Sequence, residues 1–210
     1  MVCITGFYVF LNQPAEFVVT VKSLTQIHYI CVKSLQKIKN RKRLKMLSKK
    51  MLDSLNNHLN EEVYSSYLYL SMASYFEEKN LKGFGQWFKI QSQEEYGHAM
   101  KFYGFINQTG GKVNLKAIAA PKTNWKSIME VFKETLAHEK HITALIDKLV
   151  GQAMQEKNYA TNNFLQWFVT EQVEEEANVE EIINKLEMIG DNKGGLYMLD
   201  RELGARTTAG

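Results

Sequence analysis

The chain has 210 residues, 45% of them apolar, and only two prolines, so one packed domain with long unbroken helices is open to it. The formal charge of +3 hides an asymmetry: residues 1–45 carry eight Lys/Arg against the single acid Glu16, which leaves 18 basic and 22 acidic residues in 46–210. That acidic body argues against nucleic acid as a partner and suits cations. Both cysteines, Cys3 and Cys31, precede residue 46, which excludes a thiolate metal site or disulfide framework after it.

Residues 1–45 read apart from the rest. MVCITGFYVFL and FVVTV are β-branched and strand-like, and KIKNRKRLK is a basic run. No apolar stretch reaches ~18 residues, so no membrane partner is expected. Positive charge follows the apolar part, whereas in a secretory signal it precedes it. The segment is expected to lie outside the natural protein, with translation starting at Met46. A targeting segment and a genuine appendage are the alternatives.

From Met46 onward the period is helical. Helices are predicted over 46–79, 82–108, 124–156 and 160–189, with Lys79, Asn80 and Gly83 marking the first turn and Asn158 and Tyr159 the last. Gly190 closes the fourth helix. A short fifth helix follows Gly194 and Gly195 through Leu196, Tyr197, Leu199 and Leu203, and 204–210 is a tail. Residues 108–123, with Gly110, Gly111 and Pro121, have no helical period. Some 15 extended residues reach about 50 Å, and the second helix is ~40 Å long. The loop can therefore cross the whole length of a bundle. Two short turns and one long crossover describe an all-α, ferritin-like four-helix bundle.

Each helix carries a stripe spaced three and four residues apart, the inward face of a bundle. The first reads Leu52, Leu55, Leu59, Glu62, Ser66, Tyr69, Ala73, Phe76; the second Phe84, Phe88, Gln91, Glu95, His98, Phe102, Phe105. The third reads Ile128, Phe132, Thr135, Glu139, Ile142, Ile146, Leu149; the fourth Leu165, Phe168, Gln172, Glu175, Val179, Ile182, Leu186, Ile189. All are apolar at both ends and acidic in the middle. If the helices pack along their full lengths, Glu62, Glu95, Glu139 and Glu175 meet at one depth. Burying unpaired charge costs several kcal/mol, so either protons or cations must neutralise them. Divalent metal is the simpler solution. Glu95 and His98, three residues apart, share a helix face and can share an ion. Carboxylate and imidazole donors suit iron, although manganese or zinc fits the same set.

LNEEVYSSYLYLSM (59–72), QSQEEYGHAMKF (91–102), LAHEKHI (136–142) and NFLQWFVTEQVEEE (163–176) together resemble the ferritin family, most closely its bacterial non-haem members, over about 46–203. The resemblance implies that Glu62, Glu95 and His98 hold a first iron. Glu95 would bridge to a second, held also by Glu139 and Glu175 with Gln172 close by. Tyr69 matches the family tyrosine beside the diiron site, and Glu94, Glu171 and Glu174 match a third iron site. Gln172-Val173-Glu174-Glu175 lacks the histidine of a second Glu-x-x-His pair, which argues against haem. The implied protein is a cytoplasmic ferroxidase that oxidises Fe(II) with O2 or peroxide and stores ferric mineral in a homo-oligomeric shell of twenty-four subunits. His138 and His141 read as surface or intersubunit residues, and His58 lies off the stripe, outside the site. Trp87, Trp125 and Trp167 read as packing residues. The alternatives are a storage subunit without oxidase activity, a different diiron oxidase, and a metal-free interaction bundle.

Overall fold

The computed structural model describes residues 3–4, 7–8, 32–33 and 47–207. The chain divides into two compact units, Met1–Leu44 and Lys45–Gly210. In the first, β1 (Cys3–Ile4) and β2 (Phe7–Tyr8) pair antiparallel with Cys3 opposite Tyr8, which is the strand character read in MVCITGFYVFL. FVVTV, the basic run and the last three residues of the tail lie outside the described residues.

The second unit is a bundle of α1 (Lys49–Glu78), α2 (Lys82–Gln108), α3 (Ile128–Gln155) and α4 (Tyr159–Ile189), followed by the short α5 (Lys193–Gly204). Side-chain caps set most of the boundaries. Ser48 Oγ accepts from Met51 N at 2.9 Å, so α1 starts at 49 and not at 46. Ser127, in extended conformation, accepts from Glu130 N at 3.1 Å, so α3 starts four residues later than its periodicity suggested. Asn158 caps α4 through Thr161 N, and Asn192 caps α5 through Gly194 N and Gly195 N. Each such cap contributes about 1 kcal/mol.

The N-terminus of α2 has no cap of its own. Asp200 of α5 supplies it, Oδ1 accepting from Gly83 N at 2.9 Å and Phe84 N at 3.1 Å. Gly83, which the sequence marks as a turn residue, lies inside α2 and is needed for this approach. A Cβ there would lie 1.5 Å from the Asp200 carbonyl oxygen.

The crossover, residues 109–127, climbs along α1 in the same direction as that helix. Asn56 donates to Lys112 O and accepts from Asn114 N, and Asn60 accepts from Lys116 N. Ser71 donates to Lys122 O, and Trp125 packs edge-on against Tyr75. Asn56 and Tyr75 are nineteen residues apart on α1, about 28 Å of helix. Polar side chains of one helix thus hold backbone groups of the loop at Lys112, Asn114, Lys116 and Lys122.

The core is split. One apolar cluster gathers Phe76, Phe84, Trp87, Phe88, Phe132, Val179, Leu199 and Leu203; another gathers Met51, Leu55, Leu59, Phe102, Ile106, Ile142, Leu165 and Phe168. Each fully buried side chain of this size contributes about 1.5–3 kcal/mol. Between the two lies a polar layer.

Candidate metal centre

That layer contains the residues the stripes brought to mid-helix. Glu62, Glu95, His98, Glu139, Gln172 and Glu175 are between 1 and 4% exposed, and Tyr69 is wholly buried. Glu62, Glu95 and His98 each offer a ligand atom within 4.8 Å of the others. His98 Nδ1 lies 3.3 Å from Glu95 Oε2. Across the bundle, Gln172 Nε2 donates to Glu139 Oε2 at 3.2 Å, and the Tyr69 hydroxyl donates to Glu139 Oε1. Gln91, a stripe residue not assigned to the site from sequence, donates to Glu175 Oε2 at 2.8 Å. Glu62 Oε2 is buried without a partner among the described residues.

Burial sets the electrostatics. It pushes Glu139 up to about 7, against the pull of bonds from Tyr69 and Gln172. It pushes Glu175 up to about 8, aided by the charge of Glu139. Glu95 stands well above the usual carboxylate range through burial and the facing Glu139, Glu62 and Glu175. Glu62 differs: burial opposes its charge, but His58 and His98 outweigh burial and hold it below the ordinary value. Burial lowers His98, leaving a neutral ring with a lone pair for a metal. Without a cation Glu95, Glu139 and Glu175 favour their protonated forms while Glu62 keeps its charge; a bound divalent ion replaces those protons.

Two histidines stand closer to the site than the stripes suggest. His58 is buried beside the site, its Nε2 2.8 Å from Glu62 Oε1. Its position, one turn before Glu62, carried that signal, because residues four apart on a helix are neighbours. His138 is turned inward too: Nε2 lies 2.7 Å from Ser65 Oγ, the ring meets Tyr69 edge-on, and burial pulls its pKa down to about 4. His141 is exposed, as the surface reading had it.

In the third trio, Glu94, Glu171 and Glu174, burial raises Glu171 and the charges of Glu174 and Glu94 lie near enough to raise it further, but the ligand atoms of the three do not converge within 4.8 Å. Glu174 is exposed, and Glu94 Oε2 accepts from Arg206 Nη2 at 2.6 Å. The Arg206 guanidinium lies over Trp87 at 5.0 Å. Instead, His98, Glu171 and Glu175 bring ligand atoms within 4.8 Å of one another. Arg206 lies in the C-terminal tail, where no local pattern pairs it with Glu94.

A family model described as Ferritin, a ferritin-like domain, matches residues 52–189. The bacterial non-heme ferritin of Staphylococcus aureus (strain USA300) is 43% identical over 162 residues, covering 77% of this chain and 98% of the relative. That of Staphylococcus haemolyticus is 42% identical over the same length. Among solved structures, the open pore ferritin of the hyperthermophilic archaeon Archaeoglobus fulgidus is 49% identical, with a TM-score of 0.76, over 77% of this chain and 99% of its own. A closed form engineered from that protein has a TM-score of 0.77 at 48% identity.

Proposed function

The chain belongs to the ferritin family, and from that premise we propose that it stores iron, oxidising Fe(II) with O2 at a dinuclear centre in the polar layer of the bundle. The observation that carries the proposal is the burial of four glutamates and a histidine at one depth between two apolar clusters. Glu62, Glu95 and His98 would hold one Fe(II). Glu139 and Glu175 would hold the second, with Glu95 between the two and Gln172 alongside. Glu62 Oε2, buried and without a bond, is a ready donor. Carboxylate oxygens and one imidazole suit Fe(II) and favour the more highly charged Fe(III) product.

Two ions held side by side can each give one electron to the same O2, reducing it to the level of peroxide. The protein's part is to place the ions, to exchange carboxyl protons for them and to keep the layer closed to bulk water by Phe88, Phe102 and Phe168 on either side. Tyr69, bonded to Glu139, would give a further electron. Glu171, with His98 and Glu175 beside it, would take iron leaving the centre toward a third position. Haem has no role in this reading.

The shell of twenty-four copies is part of the same proposal. The outer faces of α1 and α2 expose Tyr67, Leu70, Tyr96, Met100 and Tyr103, apolar surface that packing between copies would bury. No helix among the described residues is long and apolar enough to cross a membrane; we place the protein in the cytoplasm. The test is anaerobic Fe(II) addition to purified protein followed by air, with particle size and retained iron measured together. A large particle holding many irons per subunit, with a fast rise in absorbance on mixing, is the expected result. A small particle that retains no iron would defeat the proposal. Iron retention without the fast phase would favour a storage subunit lacking oxidase activity.

A further inference from the structure

His58 is a buried polar residue to which the proposed reaction gives no task. It is 3% exposed, and its ring packs on Phe102 with centroids 4.6 Å apart. Its Nε2 is bonded to Glu62 Oε1, while its Nδ1 has no partner among the described residues. The ring is therefore held on one face by an aromatic side chain and at one nitrogen by a carboxylate. On the carboxylate the two oxygens are unequal. Oε1 is engaged by His58, while Oε2 is buried and has no protein donor on it apart from the neighbouring carboxyl of Glu95. A carboxylate can bind an ion through one oxygen or through both, and a hydrogen bond on one oxygen decides between them.

We infer that His58 is a positioning residue for the first metal: by donating its Nε2–H to Glu62 Oε1, it leaves Oε2 as the one oxygen that Glu62 presents to the ion. This rests on the dinuclear reading above. The bond also fixes the torsion of the Glu62 side chain, so the donor is in place before the ion arrives. Without it Glu62 can rotate and bind through both oxygens or through neither. His58 also lines a cavity of about 660 Å3 between α1, α3 and the crossover, which leaves room for substitution.

The test uses the assembled protein stripped of metal, titrated calorimetrically with Zn(II), which has no redox chemistry of its own. Methionine fills similar space against Phe102 and offers no donor. His58→Met is expected to weaken the tight phase about 10–100-fold, as loss of an outer bond to a metal ligand does. His58→Gln, whose amide N–H reaches the same oxygen, is expected to restore most of that loss. X-ray absorption at the zinc edge should show fewer carboxylate oxygens in the wild type than in a loaded His58→Met protein. Should His58→Met fail to assemble, His58→Asn, polar but too short to reach Glu62, takes its place. An unchanged isotherm in the donor-free variant, with the tight phase lost in Glu95→Ala, would overturn the role of His58 and leave the metal centre standing. If Glu95→Ala and His98→Ala also left the isotherm unchanged, the centre itself would fall and His58 with it.

Discussion

Raising the pH of the metal-free protein from 6.5 to 8 should weaken it, with Glu175 and the strongly raised Glu95 sharing the loss. A carboxyl whose pKa rises on folding binds more protons folded than unfolded. Its contribution therefore falls as pH climbs from the unfolded value to the folded one. For Glu175 that window runs from 4.5 to about 8, and for Glu139 it closes at about 7. His138 works in the opposite sense. Burial lowers it from 6.5 to about 4, so the stability it withholds in acid is regained by pH 6.5 and stays level above. The interval from 6.5 to 8 thus isolates the carboxyls. At roughly 1.4 kcal/mol per unit, Glu175 gives up on the order of 2 kcal/mol there and Glu139 less than about 1. Urea unfolding with EDTA present, at fixed protein concentration because assembly shifts the midpoint, measures the fall. Glu175→Gln should make the fall measurably shallower, Glu95 carrying what remains, and saturating Zn(II) should abolish it in the wild type. A Glu175→Gln profile parallel to that of the wild type would refute the reasoning.

Glu95→Ala should eliminate the fast phase of Fe(II) oxidation while particle size stays unchanged, because one residue serves both ions; stopped-flow absorbance together with light scattering checks both halves. Gly83→Ala should undock α5, since its Cβ would lie 1.5 Å from the Asp200 carbonyl oxygen, and limited proteolysis after residue 192 should become rapid while cleavage within α1–α4 does not. Arg206→Ala should release Glu94 and tighten binding of a third Zn(II) by up to about tenfold, the order of one charge-assisted hydrogen bond; a third affinity equal to that of the wild type would show that the Arg206–Glu94 pair does not compete with metal.

The depth of the site was legible because helix period is rigid. Once Leu59 and Phe76 were read as inward, Glu62 and Tyr69 had to face the same way, and the same arithmetic placed Glu95, Glu139 and Glu175. The crossover was legible from Gly110, Gly111 and Pro121, and its length from the helix it must span. Helix starts were not, because a cap such as Ser127 overrides periodicity by satisfying free N–H groups where the chain chooses to turn. Contacts between distant elements were not legible either. Gly83 carries no mark of Asp200, nor Glu94 of Arg206, since both depend on how α5 and the segment after it fold back. His58 is an intermediate case. Its spacing from Glu62 makes the two neighbours, but the stripe runs through Leu59, and helical period alone leaves a residue beside the stripe free to face either way.

The crossover divides the proposed metal donors evenly. Glu62, Glu95 and His98 precede it; Glu139, Gln172 and Glu175 follow it. A chain emerging from the ribosome completes its first hairpin with donors for a single ion, and one ferrous ion cannot deliver a pair of electrons. Two-electron reduction of O2 at the proposed centre therefore requires that the second hairpin be docked on the first. The same division makes paired ions a clasp between the halves, and a filled centre should resist mechanical separation of the hairpins far better than an empty one.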